Sequence, residues 1–200
     1  INLMDKQGQR ISMFITQSSA TLEHPLEQIR AAIAQSEVLV LNIVPYCIDL
    51  IPELTASGKP IWTDLHDYDG NNSYHQPFID AAQYLQLSSD NLNDYTVVMR
   101  QLLAAGKQMV VCTHGKKGAT LATSGGEWIE LPGLEHMEIK DSNGAGDSFF
   151  AGLLTAHLLG KNWTECLQYG LICGALAVTD KELACKDLSL NLLNKYLNAE

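Results

Sequence analysis

The chain has 200 residues, 46% apolar and 18% charged, enough for one domain with a sizeable core. Its formal net charge of −10 leaves no basic face to release counter-ions, which argues against a nucleic-acid backbone as the main partner. No apolar run approaches the roughly 18 residues of a membrane span, and no signal-peptide pattern is present.

Five cysteines, Cys47, Cys112, Cys166, Cys173 and Cys185, lie at scattered spacings with no C-x-x-C pair. They read as small buried thiols in a reducing cytoplasm, not as zinc ligands or a disulfide framework. At the start of the chain, residues 1–4 and 10–16 flank the turn-rich tetrad Asp5-Lys6-Gln7-Gly8, which predicts a β-hairpin. Pro25 followed by Leu26, Ile29, Ala32 and Ile33 predicts a helix with Pro at its first turn. The short apolar run 38–44 predicts a buried parallel strand. A helix over 48–56 with Gly58 beyond its end, then a strand over 60–64, complete a helix–strand alternation. That order predicts βαβ crossovers and a parallel sheet.

Residues 64–72 form a polar loop at the carboxyl end of that strand, where ligand sites in open α/β sheets collect. His66 beside Asp64, Asp67 and Asp69 invites a metal reading, but loops of this composition are more often solvated, and we take the solvated reading. Helix over 78–83 and strand over 84–87 follow. Ser88-Ser89-Asp90-Asn91 is expected to cap a helix from about Leu92 to Ala105, ended by Gly106.

Residues 108–113 predict a buried strand, and His114-Gly115-Lys116-Lys117-Gly118 a tight loop before a second strand over 119–122. Two glycines let such a loop bring its backbone and Thr113 to a phosphate. Lys116 and Lys117 add positive charge that faces phosphate or simply water. A G-x-x-x-x-G-K-[ST] phosphate loop leading into a helix is not what stands here. Ser124-Gly125-Gly126 predicts a hairpin turn, 127–131 a strand, and Pro132-Gly133 its end. Two apolar helices over 147–159 and 163–178 and a terminal helix over 187–198 close the chain.

The stretch the rest serves is Asp141-Ser142-Asn143-Gly144-Ala145-Gly146-Asp147, running into Ser148-Phe149-Phe150-Ala151-Gly152. The first turn of a helix has backbone N–H groups without intrahelical partners and carries partial positive charge. Glycines leave that backbone bare, so an anion can approach Gly144, Ala145 and Gly146 closely. Asp147 beside such a nest suggests phosphoryl transfer with Asp147 as general base. Taken alone, the pattern is more often that of a plain helix start with an acid complementing the dipole.

The stretch resembles the second signature of the ribokinase-like (PfkB) family of sugar kinases, Asp-Thr-x-Gly-Ala-Gly-Asp followed after three residues by a small residue and Gly. Asp141, Gly144, Ala145, Gly146, Asp147, Ala151 and Gly152 match, and Ser142 replaces Thr while keeping the hydroxyl. Thr113, Gly115 and Gly118 match the family's Thr-x-Gly-x-x-Gly nucleotide loop. The resemblance implies an α/β chain with a three-layer α/β/α ribokinase-like fold and a mostly parallel sheet. It also implies that the N-terminal strands, most of the lid and most sugar-binding residues lie outside these 200 residues. Residues 1–18 would be a remnant of the lid hairpin and 19–200 the nucleotide-binding core, with a homodimer through the lid as one possible assembly. The implied activity is ATP-dependent phosphorylation of a sugar or related alcohol.

Asp147 would be the base, Gly144, Ala145 and Gly146 the anion hole, and Thr113, Gly115, Lys116, Gly118 and Asn143 the nucleotide contacts. Asp141 and Asp147 would border the substrate. ATP and Mg²⁺ are the implied cofactors, and a monovalent cation would border Asp141 and Asn143. No protein metal ligand is assigned. The alternatives are a nucleoside kinase of the same fold and a non-catalytic nucleotide-binding relative. Three departures stand out. Ser88 and Asn91 occupy the positions of a magnesium-organising Asn-x-x-Glu, Leu171 stands near a helix Asn, and Glu182-Leu183-Ala184 replaces a Gly-Ala turn at the adenine side. The small residues of the 163–178 helix, Gly170, Cys173, Gly174, Ala175 and Ala177, would let either another helix or an adenine ring come near.

Overall fold

The alternation of short apolar strands with amphipathic helices folds as the pattern requires. The computed structural model of the protein describes residues 2–4, 10–12, 22–135 and 137–197. Strands β1 (Asn2–Met4) and β2 (Arg10–Ser12) pair antiparallel with Leu3 opposite Ile11, the expected hairpin; residues 5–9 and 13–16 lie outside the described residues. A six-stranded sheet then takes its strands in chain order: β3 (Leu39–Val40), β4 (Ile61–Asp64), β5 (Tyr84–Ser88), β6 (Met109–Thr113), β7 (Ala119–Thr123) and β8 (Trp128–Leu131). The pairs β3/β4 and β4/β5 are parallel. Each crossover carries a helix: α2 (Ile51–Ala56) between β3 and β4, α3 (Gln76–Ala81) between β4 and β5, and α4 (Tyr95–Ala104) between β5 and β6. Helix α1 (Leu26–Gln35) precedes them, and α5 (Ala145–Leu158), α6 (Trp163–Ala177) and α7 (Leu190–Leu197) follow the sheet.

The chain divides into two compact units. One holds residues 22–112 and Ala122–Trp128. Its core gathers Leu39, Ile61, Leu65, Phe78, Leu85, Leu87, Met99 and Val110, all buried. Two lysines finish helices here. Lys59 Nζ donates to Ala34 O at 2.9 Å and to the Ile33 and Ser36 carbonyls at the end of α1. Buried Lys107 donates to Ala82 O at 2.9 Å and to the Ile79 carbonyl at the end of α3. A cation at a helix C-terminus meets both the orphan carbonyls and the negative end of the dipole. Burial pulls the Lys107 pKa down from its ordinary value.

Three sequence expectations are corrected in this unit. The run 38–44 gives a two-residue edge strand: Leu39 and Leu41 are buried, but Val40 is 51% exposed, so only one face is covered. Helix α4 starts at Tyr95, later than Leu92, because Asp94 is its cap; its carboxylate accepts the N–H groups of Thr96 (2.9 Å) and Val97 (3.3 Å). Residues 89–92 are instead a turn after β5, held by the Asp90 N–H to Ser88 Oγ (3.2 Å) and the Leu92 N–H to Ser89 O (3.1 Å).

The other unit contains β1, β2, Thr113–Leu121 and Ile129–Glu200. Its centre is the α5–α6 pair. Gly152 lets α6 approach so closely that a Cβ there would stand 2.7 Å from Cys173 Sγ and 2.8 Å from Tyr169 O. Gly170 faces the Phe149 ring, and Gly174 faces Ala145 O and Phe149. The small residues of α6 therefore receive α5, which settles part of what their spacing left open. Helix α6 opens with a capping box, Asn162 and Glu165 exchanging side-chain and backbone bonds. Helix α7 begins at Leu190, three residues later than expected.

Candidate active site

Every residue assigned a site role from the sequence lies in the second unit described above. Thr113–Leu121 clusters with Ile129–Glu200 and not with the chain preceding it. Two loops carry those residues.

The first joins β6 to β7. Thr113, half-buried, ends β6, and Gly115–Lys117 is a single 3-10 turn. The loop is closed by the His114 N–H to Gly118 O (2.8 Å), the Lys117 N–H to His114 O (3.2 Å) and the Gly118 N–H to Gly115 O (3.2 Å). His114 Nε2 lies 2.9 Å from Thr120 Oγ1 across its base, a structural contact for a residue assigned no catalytic role. Gly118 has φ +110° and ψ −145°, a conformation that essentially only glycine adopts. Lys116 and Lys117 are exposed.

The second loop leads into α5. Asp141 Oδ1 accepts both the backbone N–H and the side-chain amide of Asn143, each at 2.8 Å, folding the loop on itself. The N–H groups of Lys140 (2.8 Å) and Asp141 (3.3 Å) reach Val178 O at the end of α6. Gly144 is the N-cap, at φ +77°, and supplies no capping side chain. The helix starts at Ala145, two residues before Asp147, so the acid lies within the first turn and not ahead of it. The Ala145 N–H makes a long 3.4 Å bond to Ser142 O, and the Ser148 N–H opens the α-helical ladder on Gly144 O at 2.8 Å. Asp147 and Gly146 are exposed. Helices α4 and α6, by contrast, start on side-chain caps.

Two contacts escaped the sequence reading. A Cβ on Gly144 would fall 2.0 Å from Leu183 O, so the turn after α6 lies directly against the start of α5. Asp180 shapes that turn by accepting the Lys181 N–H at 2.7 Å. Gly133, taken from sequence as a strand end, lies backbone to backbone against Lys116. Pro-Gly after β8 was the available sign of Gly133. Leu183 stands in the turn expected at the adenine side, but nothing local marks its contact with Gly144.

The residues at the magnesium-associated positions lie in the other unit. Ser88 Oγ accepts the Asp90 N–H, and the Asn91 amide donates to Asp67 O at 2.9 Å. Neither position offers a carboxylate. Among the described residues no group of three or more His, Cys, Asp and Glu could hold a metal ion. These residues do not build a protein cage for Mg²⁺. Asp64 and His66 approach at 3.4 Å, and Asp69 Oδ1 accepts the N–H groups of Asn71 (2.8 Å) and Asn72 (2.7 Å), which gives the polar 64–72 loop its shape. A cavity of about 310 Å³ in the same unit is lined by Tyr68, Gln76, Asp80 and Lys107 and includes none of the assigned site residues.

A mostly parallel α/β sheet, a glycine-bounded loop after one strand and a glycine-capped helix with an acid in its first turn are the features that the ribokinase-like resemblance implies. A family profile described as "pfkB family carbohydrate kinase" matches residues 78–187. The chain belongs to the pfkB family of carbohydrate kinases. It is 31% identical over 183 residues to the acarbose 7(IV)-phosphotransferase of an Actinoplanes species, covering 90% of this chain and 61% of that relative. It is 28% identical over 156 residues to the fructoselysine 6-kinase of Escherichia coli, covering 76% and 58%. The chain thus spans about three-fifths of the length of these relatives. Among solved structures, a microbiome-derived acarbose kinase superposes with a TM-score of 0.85 at 27% identity, over 98% of this chain and 67% of that one. The ribokinase of Arabidopsis thaliana, solved with ribose and ATP, gives 0.74 at 20% identity over 90% and 62%, a likeness of fold alone. No helix among the described residues is long and apolar enough to cross a membrane.

Proposed function

We propose that the complete protein transfers a phosphoryl group from ATP to a hydroxyl of a sugar or related alcohol. The observation that carries this reading is the start of α5. A 14-residue helix opens on Gly144 without a capping side chain and holds Asp147 exposed in its first turn. A second glycine-shaped loop, Thr113–Gly118, lies in the same compact unit.

In this reading Thr113, Gly115, Lys116 and Gly118, with Asn143, hold the nucleotide phosphates. Lys116 brings a positive charge to a chain that is otherwise strongly acidic. Asp147 accepts the proton as the sugar oxygen attacks the γ-phosphorus; the bond to the bridging oxygen breaks, and ADP leaves. The backbone of Gly144, Ala145 and Gly146, at the positive end of the α5 dipole, stabilises the charge on the transferring group. The 3.4 Å Ala145–Ser142 bond is long enough for that N–H to turn to an anion at little cost. Asp141 shapes the loop through Asn143 and borders the substrate. Mg²⁺ would arrive as the nucleotide's counter-ion, and a monovalent cation would border Asp141 and Asn143. Residues 1–18 belong to a lid in this reading, through which two copies would pair. The buried free thiols Cys112, Cys166 and Cys173 accord with a cytoplasmic setting.

The choice of a sugar acceptor is supported by the names of the two relatives above. A second reading, a nucleotide binder without transferase activity, draws on Ser88 and Asn91. The test is ADP formation by the complete protein with ATP, Mg²⁺ and panels of sugars, oligosaccharides and nucleosides. Turnover with a sugar supports the proposal, and turnover with a nucleoside alone moves the acceptor to that class. ATP binding with no turnover on either panel replaces the proposal with the second reading.

A further inference from the structure

We propose that Gly133 is a positioning residue for the nucleotide, the rigid backing against which the β6–β7 loop is held in its phosphate-binding shape. The inference rests on the reading that this loop receives the nucleotide phosphates.

The loop's own hydrogen bonds close its ring, from His114 to Gly118, and His114 Nε2 meets Thr120 Oγ1 across its base. Its tip is bare at Gly115, where an added Cβ would meet nothing within 4 Å. The backing comes from residues 131–133. A Cβ on Gly133 would stand 2.4 Å from Lys116 O, 3.0 Å from Lys116 C and 3.3 Å from Gly118 N. Reciprocally, a Cβ on Gly118 would stand 2.0 Å from Leu131 O and 2.7 Å from Gly133 N. Two lengths of backbone therefore touch with no side chain between them. The contact takes in Lys116 and Gly118, two of the residues assigned to the nucleotide. Pro132, with its fixed φ, stiffens the supporting side.

Gly133 has no left-handed φ to explain it. The close approach is its reason to be glycine. A flexible side chain could swing away from a new methyl group, whereas the Lys116 carbonyl can move only with its loop. Relief of a 2.4 Å contact shifts that carbonyl by about 1 Å to reach ordinary van der Waals separation. Misplacement on that scale at a site of phosphate positioning costs up to about 10²-fold in function.

The test is the Gly133→Ala variant of the complete protein, with Gly125→Ala as control. A Cβ on Gly125 meets only Thr123 Oγ1, at an ordinary 3.5 Å. Binding of ATP with Mg²⁺ is measured by titration calorimetry, and thermal unfolding is measured without nucleotide. Gly133→Ala is expected to weaken ATP binding by about tenfold or more while the variant remains folded at the assay temperature, a loss of affinity that a lowered Tm alone does not produce. Unchanged affinity in Gly133→Ala, beside a wild-type protein that binds ATP, overturns the inference and leaves the functional reading standing. A wild-type protein that does not bind ATP overturns both. If Gly133→Ala does not fold, amide exchange in the wild-type protein decides. ATP that slows exchange at 114–118 and at 133–134 together supports the inference, and protection confined to 114–118 overturns it.

Discussion

The contact between α5 and α6 can be tested quantitatively, because two glycines in that interface make different forecasts. Replacing Gly152 by Ala adds a methyl group 2.7 Å from Cys173 Sγ, 2.8 Å from Tyr169 O and 2.9 Å from Cys173 Cβ. One of those atoms is backbone, so the clash cannot be relieved by a rotamer change alone. Overpacking of this kind costs about 1–3 kcal/mol. Gly to Ala in a helix interior returns about 0.5–1 kcal/mol. The net is a destabilisation of about 0–2.5 kcal/mol, and the middle of that range lowers Tm by about 2–5 °C in a domain this size. Gly174→Ala meets Ala145 O at 3.2 Å and Phe149 Cβ at 3.3 Å, so shifts of a few tenths of an ångström absorb it. Its propensity gain offsets the crowding, and Tm should stay within about 2 °C of wild type. The assay is thermal unfolding followed by circular dichroism in one buffer. Cys173→Ala in the Gly152→Ala background removes the sulfur but leaves Cβ and Tyr169 O, so part of the loss should return, a coupling of about 0.5–1 kcal/mol. A rise in Tm for Gly152→Ala, or a larger fall for Gly174→Ala, would refute the close-packing argument.

Asp94→Ala should lower Tm by uncapping α4, whereas Asp94→Asn keeps an acceptor oxygen and most of the stability. The hydrogen bond from Thr96 holds the Asp94 carboxyl below its ordinary pKa, so its contribution is present above about pH 3.9 and is lost as pH falls through the depressed folded value, as an acid titration of Tm will show. Burial of His75 between Tyr68 and Tyr74 depresses its pKa, against the opposing pull of Asp67 and Asp69. The folded state then binds fewer protons than the unfolded one, so stability should decline as pH falls below about 6.5 and level off below the folded pKa. His75→Phe should flatten that part of the Tm profile. Burial pushes Cys112 to about 12 and Cys166 and Cys173 to about 11, so iodoacetamide at pH 8 should leave all three unlabelled in the folded protein while Cys185 reacts, as read by peptide mass mapping.

Local chemistry was legible in the chain. Gly144, Ala145, Gly146 and Asp147 stand at a helix start because glycine favours the left-handed N-cap and the apolar residues from Phe149 onward need a helix to bury them. The β7–β8 turn at Ser124–Gly126 was equally plain, and Thr123 and Glu127 close it. Four polar residues in a row at 88–91 mimicked a cap, but Asp94 won because its carboxylate reaches two backbone N–H groups and the Thr96 hydroxyl at once. The apolar run at 38–44 overstated a strand whose ladder covers two residues, since apolar character reports burial and not hydrogen bonding. Gly133 against Lys116 and Leu183 against Gly144 were illegible because each contact joins segments that only the tertiary fold brings together. The Lys107 cap on α3 was hidden for the same reason, its partners lying 25 and 28 residues earlier in the chain.

In the proposed reaction Asp147, in the first turn of α5, takes the proton from an acceptor hydroxyl while the glycine-bounded backbone beside it holds the transferring phosphoryl group. Asp147→Asn in the complete protein tests it most directly, with ADP formation measured at saturating ATP and acceptor and ATP affinity measured alongside. A fall in kcat of ~10²–10⁴ with ATP affinity little changed is expected, because the amide keeps the shape but cannot accept the proton. A variant that turns over at the wild-type rate would contradict it.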